Sequence, residues 1–358
     1  MIGRSHTLDW KLIAAIAFIA AASMVSLASF APALAWSQLI WFGIAFTLMI
    51  WGSRFDWRWI GSQTWFRYGL YWLSVALLIA THFQTTLIRG TKSWLVLGPA
   101  QFQPAELAKL ALILLLAGFF SKRYIEAWHG KNILVSFAYL ALPVVLTITH
   151  PDFGSAAIMV AIWIGFLLMS GVNRKRLMIG VCIAVLIAVM LWVFVLKDYQ
   201  KERIFAFISI DNDPLGINYN VLQSKIAIGS AGLFGKGFGA GTQTQLHFLP
   251  EAQSDFLFAA FVEEWGFIGG GALLLTFLYV IYRLMRIGQS ARDNYSRFVV
   301  LGSGLFFLIH FFINVGSAVG YIPVAGITFP LFSYGGSNIL TSGILLSIIQ
   351  HIKLESSS

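Results

Sequence analysis

The chain has 358 residues, of which 58% are hydrophobic and 11% charged, with a mean hydropathy of +0.78. Those proportions exclude a soluble domain and read as a polytopic membrane protein. The formal charge of +9 does not point to nucleic acid, because Lys and Arg gather in short segments between apolar runs, as the positive-inside rule produces. The single cysteine, Cys182, lies within an apolar run, which excludes a disulfide framework and a Cys-based metal site.

Taken in chain order, apolar runs bounded by charge or turn residues predict spans at 12–33, 36–52, 67–82, 105–120, 133–149, 154–170, 177–196, 256–282, 298–318 and 336–352. The expected architecture is therefore all-α, with about ten transmembrane helices in one integral membrane domain over residues 1–358. No soluble domain and no internal repeat is read. Arg4 and Lys11 precede an apolar run that ends at Ala33-Leu34-Ala35, as in a signal peptide. That run exceeds the ~7–15 residues of a signal h-region and reaches the ~20 that span a bilayer, so an uncleaved first helix is expected.

With the N-terminus inside, the basic segments holding Arg54 and Arg58, Lys122 and Arg123, Arg174 to Arg176, Arg283 to Arg292, and Lys353 all fall on the cytoplasmic face. Trp36, Trp51, Trp57, Trp65, Trp94 and Trp128 lie near span ends, where indole anchors at the lipid interface. The connections on the opposite face hold Pro, Gly and acids, and one of them is long, residues 197–254 between helices 7 and 8. Within it Leu222 and Ile226 stand four apart beside Gln223, Ser224 and Lys225, which predicts a short amphipathic helix over 219–228 at the interface.

The polar residues of interest cluster toward that outer face. Asp255 follows Ser254 at the mouth of the eighth span, and Glu263 and Glu264 lie deeper in it. An intramembrane carboxylate costs ~2.5–3.5 kcal/mol on insertion scales, so a hydrated functional cavity is the default reading. Asp255 also suits a helix cap. A rise of 1.5 Å per residue separates it from Glu263 by roughly 12 Å, which excludes a proton-sharing dyad within this helix and leaves both glutamates to pair elsewhere. Glu106 and Lys109 form an i,i+3 pair just inside a Pro-started helix. A third charge, carboxylate or phosphate, sharing their site is preferred to simple mutual neutralisation. Asp152, after Pro151, reads as a cap of the sixth span.

Other motifs are weak. Gly235-x-Gly237-x-x-Ala240 lacks the preceding strand of a dinucleotide fingerprint and reads as flexible backbone beside a bulky substrate. The seven histidines are scattered, so no protein-built zinc site is expected and no metal ligand is assigned. Ser303 and His310 share one helix seven positions apart, which leaves the hydroxyl of an intramembrane protease without a base.

Along essentially its whole length the chain resembles the SEDS polytopic glycosyltransferases of bacterial cell-wall synthesis, nearer to the rod-shape branch than to the division branch. The resemblance rests on Gly90-Thr91-Lys92-Ser93-Trp94, Phe102-Gln103-Pro104-Ala105-Glu106-Leu107-Ala108-Lys109 and Pro151-Asp152-Phe153-Gly154. It continues through Asp213-Pro214-Leu215-Gly216, Gln223 to Ser230, Phe248-Leu249-Pro250-Glu251, Ser254-Asp255-Phe256, Glu263-Glu264-Trp265-Gly266 and Ser333-Tyr334-Gly335-Gly336-Ser337. The tract 241–246 favours the rod-shape branch.

The resemblance implies polymerisation of lipid II at the outer face of the bacterial cytoplasmic membrane, with Asp255 on the family's essential aspartate. The substrates implied are lipid II and the growing lipid-linked glycan, and the implied partner is a class B penicillin-binding transpeptidase. Lys109, Glu106, Arg203 and Trp94 are then the residues expected to bind substrate, with Asp152, Glu263, Glu264 and Ser337 in support. Ala105 and His150 depart from the family's more usual residues, so no substrate hydrogen bond is assigned at either. An α-linked lipid pyrophosphate donor and a sugar 4-hydroxyl acceptor make the expected reaction inverting. Asp255 would take the hydroxyl proton, while the pyrophosphate leaves with help from cations, Lys109 and Arg203, rather than from an acid. No cofactor is assigned, and a divalent ion stays open. The competing reading is a lipid-linked sugar flippase, for which helices broken near the midplane would speak. A scaffold for the transpeptidase would not need the acids.

Overall fold

A computed structural model describes residues 7–84, 93–97, 100–123, 128–171, 178 and 218–357. The described residues are mainly helical: α1 Trp10–Phe30, α2 Pro32–Trp51, α3 Trp57–Ser62, α4 Thr64–Ala80, α5 Pro104–Arg123, α6 Gly130–Thr149 and α7 Phe153–Met169. They continue with α8 Tyr219–Gly229, α9 Thr242–Gln245, α10 Leu257–Ser290, α11 Asn294–Ala318 and α12 Gly336–Ser357. A small antiparallel hairpin, β1 Leu95–Leu97 with β2 Ala100–Phe102, stands before α5, in register Leu95 with Phe102.

Every expected span that falls within the described residues coincides with a helix, while 177–196, with Cys182, lies outside them. Six of the described helices are long and apolar enough to cross a membrane: α1, α2 with the turn after it, α5, α6, α10 and α11. Helix α7 is apolar but shorter.

Helix α5 is the hub. It packs against α4, α6, α7, α11 and α12, and its residues are buried almost throughout. Its small residues make this close approach practicable: Ala105, Ala108, Ala111 and Ala117 are all buried, and Gly118 faces the buried Arg67 guanidinium, which a Cβ would meet. Arg67 also lies 5.6 Å from the centre of the Tyr295 ring. On the far side, α12 packs along α2 through a similar fit, Gly343 against Ala45 and Gly52 against Ser347.

Helix ends follow the expected capping chemistry. Asp9 caps α1 by accepting from Leu12 N at 3.1 Å and ion-pairs with Arg283, so the start of α1 is tied to the far end of α10. Asp152 caps α7, accepting from Ser155 N at 2.9 Å. Trp36, Trp51 and Trp65 are well exposed at helix ends, as anchors should be, but Trp57 is not one of them. Its indole donates to Gly52 O at 2.7 Å and to Ser347 Oγ at 3.1 Å, so it works as packing between α3 and α12.

Residues 219–228 lie within helix α8, and its inward face is not the one that carries Leu222 and Ile226. Val221, Ser224 and Ala227 are buried and Ser224 donates to Ala318 O at 2.6 Å, whereas Ile226 is exposed. The hydroxyl satisfies a carbonyl at the last turn of α11, and that bond selects the face.

Helix α10 is interrupted at Gly266, whose φ of 70° and ψ of −175° lie where only glycine sits without strain. The interruption is filled by the chain's own Gly-rich loop. Lys236 N and Gly237 N donate to the carbonyls of Glu263 and Glu264 at 2.9 and 3.0 Å, and Phe267 N and Ile268 N donate to the carbonyls of Gly232 and Leu233 at 3.0 and 3.1 Å. Gly235, at φ 80°, fits against Glu264 O where a Cβ could not. The glycines expected to give loose backbone instead complete a broken helix.

Candidate functional site

Asp255 stands two residues ahead of α10, in a tight turn where its N–H donates to Glu251 O at 3.1 Å. Its side chain is half-buried and faces Gly326 in the connection between α11 and α12. That connection is held in place by Asn314, fully buried on α11, whose amide donates both to Asp255 O at 2.9 Å and to Ile327 O at 2.8 Å. Gly326 has φ 65°, so the chain turns sharply and bares its backbone toward the carboxylate. Asp255 does not cap α10 by its side chain: the cap position is Phe256, with no side-chain hydrogen bond.

One turn before Asn314 on the same helix is His310. Its Nδ1 meets Phe306 O at 2.8 Å, and a carbonyl can only accept, so Nδ1 carries the hydrogen and Nε2 presents a lone pair. Lys109 Nζ donates to that Nε2 at 3.0 Å and to Glu106 Oε1 at 2.7 Å. Asn338 Nδ2 donates to Glu106 Oε2 at 3.3 Å, and the Phe306 ring lies 5.7 Å from Nζ. Lys109 is 1% exposed, an ammonium enclosed by a carboxylate, an imidazole and an aromatic face. The imidazole of His310 is thus a further partner of the Glu106–Lys109 pair.

The N-terminal end of α5 is built into the same region. Gln103 N donates to Ser337 Oγ at 2.9 Å, and Gln103 Nε2 donates to Asp152 Oδ2 at 2.9 Å. Ser337 and Asn338, neighbours on the first turn of α12, therefore hold Gln103 and Glu106 respectively. Trp94, half-buried, directly precedes Leu95, which pairs with Phe102 at the end of the hairpin. Arg203 lies outside the described residues.

Glu263 and Glu264 do not reach this group. Glu263, wholly buried, accepts from Lys236 Nζ at 2.7 Å, Thr244 Oγ1 at 2.9 Å, Gln243 N at 3.0 Å and Thr242 Oγ1 at 3.1 Å. Glu264 accepts from Ser29 Oγ of α1 at 2.7 Å and from Gly239 N at 3.3 Å. Both carboxylates hold the loop 236–244 against the break in α10, and the four hydrogen bonds to Glu263 account for its burial.

The assembled group has a half-buried carboxylate facing Gly326 and a buried Glu106–Lys109 ion pair, and α11 touches both, through Asn314 and through His310 one turn before it. The first can accept a proton from a bound hydroxyl, and the second holds an ammonium between a carboxylate and an imidazole. Sequence reasoning named Asp255, Glu106, Lys109, Asp152 and Ser337. It missed Asn314, Asn338 and Gln103, and considered His310 only as a base for Ser303, whose hydroxyl instead donates to Val299 O at 2.8 Å. An available signal was the His310-x-x-x-Asn314 spacing inside an apolar helix, which sets two polar side chains on one face.

Residues 6–358 match the family model FTSW_RODA_SPOVE, described as cell cycle protein. The peptidoglycan glycosyltransferase MrdB of Escherichia coli (strain K12) is 36% identical over 293 residues, 81% of this chain and 79% of that protein. Among solved structures, the rod shape determining protein RodA of Thermus thermophilus is similar with a TM-score of 0.71 and 27% identity over 97% of each chain. A chain of a peptidoglycan synthase complex, solved to describe structural coordination of polymerization and crosslinking, is similar with a TM-score of 0.84 and 30% identity over 98% of each chain.

Proposed function

The chain belongs to the FTSW_RODA_SPOVE family of cell cycle proteins, and from that premise we propose that it is a peptidoglycan glycosyltransferase of the rod-shape branch. It polymerises lipid II into β-1,4-linked glycan at the outer face of the bacterial cytoplasmic membrane, during cell elongation. The observation that carries this reading is the setting of Asp255, a half-buried carboxylate facing the bared backbone at Gly326 and braced through Asn314. The acceptor's 4-hydroxyl gives its proton to Asp255 as its oxygen attacks the anomeric carbon of the donor, and the lipid pyrophosphate departs with inversion. A pyrophosphate needs positive charge and not a proton to leave. Lys109 contributes that charge as a field from its buried cluster, with Arg203 as the second cation.

The expected chain fold, ten spans with the 197–254 segment outside as part of one membrane domain, belongs to the same proposal. So does a class B penicillin-binding transpeptidase as partner, which the similarity to a chain of a polymerising and crosslinking synthase complex supports.

The flippase reading has one specific observation in its favour, the interruption of α10 at Gly266. In a transporter such a break leaves backbone groups open to substrate. Here Lys236, Gly237, Gly232 and Leu233 take up the groups on both sides of the break, which favours the polymerase. The experiment is purified protein with lipid II, scored for polymer and for transbilayer movement. Polymer from the wild type that falls by on the order of 10²–10⁴ in Asp255→Asn is expected for loss of a general base. Lipid II movement without polymer would replace this reading with transport.

A further inference from the structure

At the end of the helices remote from Asp255, three side chains converge that the sequence keeps far apart. His351 of α12 is nine-tenths buried, and its Nδ1 meets Ser53 O at 3.0 Å. A carbonyl only accepts, so Nδ1 carries the hydrogen and the lone pair is on Nε2. That Nε2 is buried with no hydrogen-bond partner, and it aims between two carboxylates, 3.7 Å from Asp56 Oδ1 and 3.8 Å from Glu355 Oε1. One ligand atom from each of the three lies within 4.8 Å of the other two.

We propose that Asp56, His351 and Glu355 form a binding site for a first-row divalent transition metal ion of the zinc type. Three features of the geometry support a metal. The separations of 3.7 and 3.8 Å exceed the ~2.7–3.2 Å of a direct N–H···O bond. They fall below the roughly 4.2 Å that separates two ligands on opposite sides of one ion at ~2.0–2.2 Å from each, which is the spacing of an ion held at an open angle. Fixing imidazole through Nδ1–H to a backbone carbonyl is the arrangement that orients a metal-binding histidine and selects its tautomer. Finally, His351 and Glu355 stand at i,i+4 on one helix face, and Glu355 turns its other oxygen, Oε2, toward Arg58 Nη1 at 3.7 Å. Arg58 is in turn held by Asp293 Oδ2 at 3.3 Å.

One nitrogen and two carboxylate oxygens make a mixed donor set that imidazole biases toward zinc over magnesium or calcium. Asp56 is the most exposed member, with a side chain 64% exposed. The site would pin the segment between α2 and α3 to the last helix. Histidines scattered along a sequence do not advertise such a site, because its members are some 295 positions apart in the chain and meet only through the packing of α12 on α2 and α3.

The test uses the full chain, purified in detergent and stripped with a chelator, titrated with zinc by calorimetry while its melting temperature is followed. The wild type is expected to bind one equivalent and to melt higher with zinc. Asp56→Asn, Glu355→Gln and His351→Asn are each expected to bind at least about tenfold more weakly and to lose the zinc-dependent rise in melting temperature. Asp56→Asn guards against a folding artefact, because Asp56 caps α3 by accepting from Trp59 N at 2.7 Å and Asn caps a helix equally well. His351→Asn retains an amide that can donate to Ser53 O while removing Nε2. If the wild type takes up no zinc, or if these variants take up as much as it does, the metal site is overturned.

Discussion

His310 and Asn314 stand one turn apart on α11, the first accepting from the Lys109 ammonium and the second donating to the backbone carbonyl of Asp255. One helix face thus supports both the buried cation and the segment that carries the carboxylate. Asn314→Leu keeps the volume but leaves the carbonyls of Asp255 and Ile327 without their donor. Each unsatisfied buried group costs about 1–3 kcal/mol. The variant is expected to melt several degrees lower, and its lipid II polymerisation, measured at a temperature where it stays folded, should fall because Asp255 is no longer braced against Gly326. Wild-type polymerisation by a folded Asn314→Leu protein would detach this bracing from the reaction.

The break in α10 makes a contrast between two glycines. At Gly266 an added Cβ would meet Gly235 N and Leu233 O, and φ is positive, so Gly266→Ala is expected to cost on the order of 1–3 kcal/mol and to loosen the loop 232–245. At Gly304, inside α11, an added Cβ meets nothing within 4 Å. Gly304→Ala should therefore be neutral or stabilise by up to about 1 kcal/mol through helix propensity. Melting temperature and amide hydrogen exchange on the two variants read the difference directly.

Helix positions were legible because apolar runs of spanning length leave few alternatives, and the cap Asp152 follows a local rule that a sequence displays. The acids were legible as unusual, but not their partners. Glu263 was as conspicuous as Asp255, and only the loop folding back through Gly235 reveals that it clamps Lys236, Thr242 and Thr244. That loop owes its course to positive φ angles at Gly232, Gly235, Gly237 and Gly239, which composition reports only as flexibility. Asn314 and Asn338 escaped notice because a lone amide in an apolar helix has no motif, and its meaning lies in which carbonyl or carboxylate another helix brings to it.

Topology gives an independent check on which end of the bundle works. Leu246 is exposed in the loop before Asp255, and Gln289 lies at the opposite end of α10. In a protein freed of Cys182, Leu246→Cys is expected to react with a membrane-impermeant thiol reagent added outside intact cells, and Gln289→Cys only after the membrane is opened. Labelling of both from one side would remove the outward placement of Asp255.

The buried Lys109 cluster separates a structural duty from a functional one. Lys109 is enclosed, so if its only task is to neutralise Glu106, removing both charges in Glu106→Gln/Lys109→Met should recover stability and activity together, since no unpaired charge is left inside. Removing either charge alone should cost about 3–5 kcal/mol, because the partner left behind is buried and uncompensated. A field acting on the departing pyrophosphate predicts a split. The double variant would recover its melting temperature yet polymerise lipid II poorly, because no ammonium then remains between His310 and Asn338. Lys109→Arg should retain more activity than Lys109→Met at equal stability, since it keeps the charge even where the fork fits His310 less well than an ammonium does. Melting temperature and polymer yield on the wild type, both single variants, the double and Lys109→Arg decide between the two. If the neutral pair polymerises like the wild type, Lys109 serves packing alone and Asp255 acts without it.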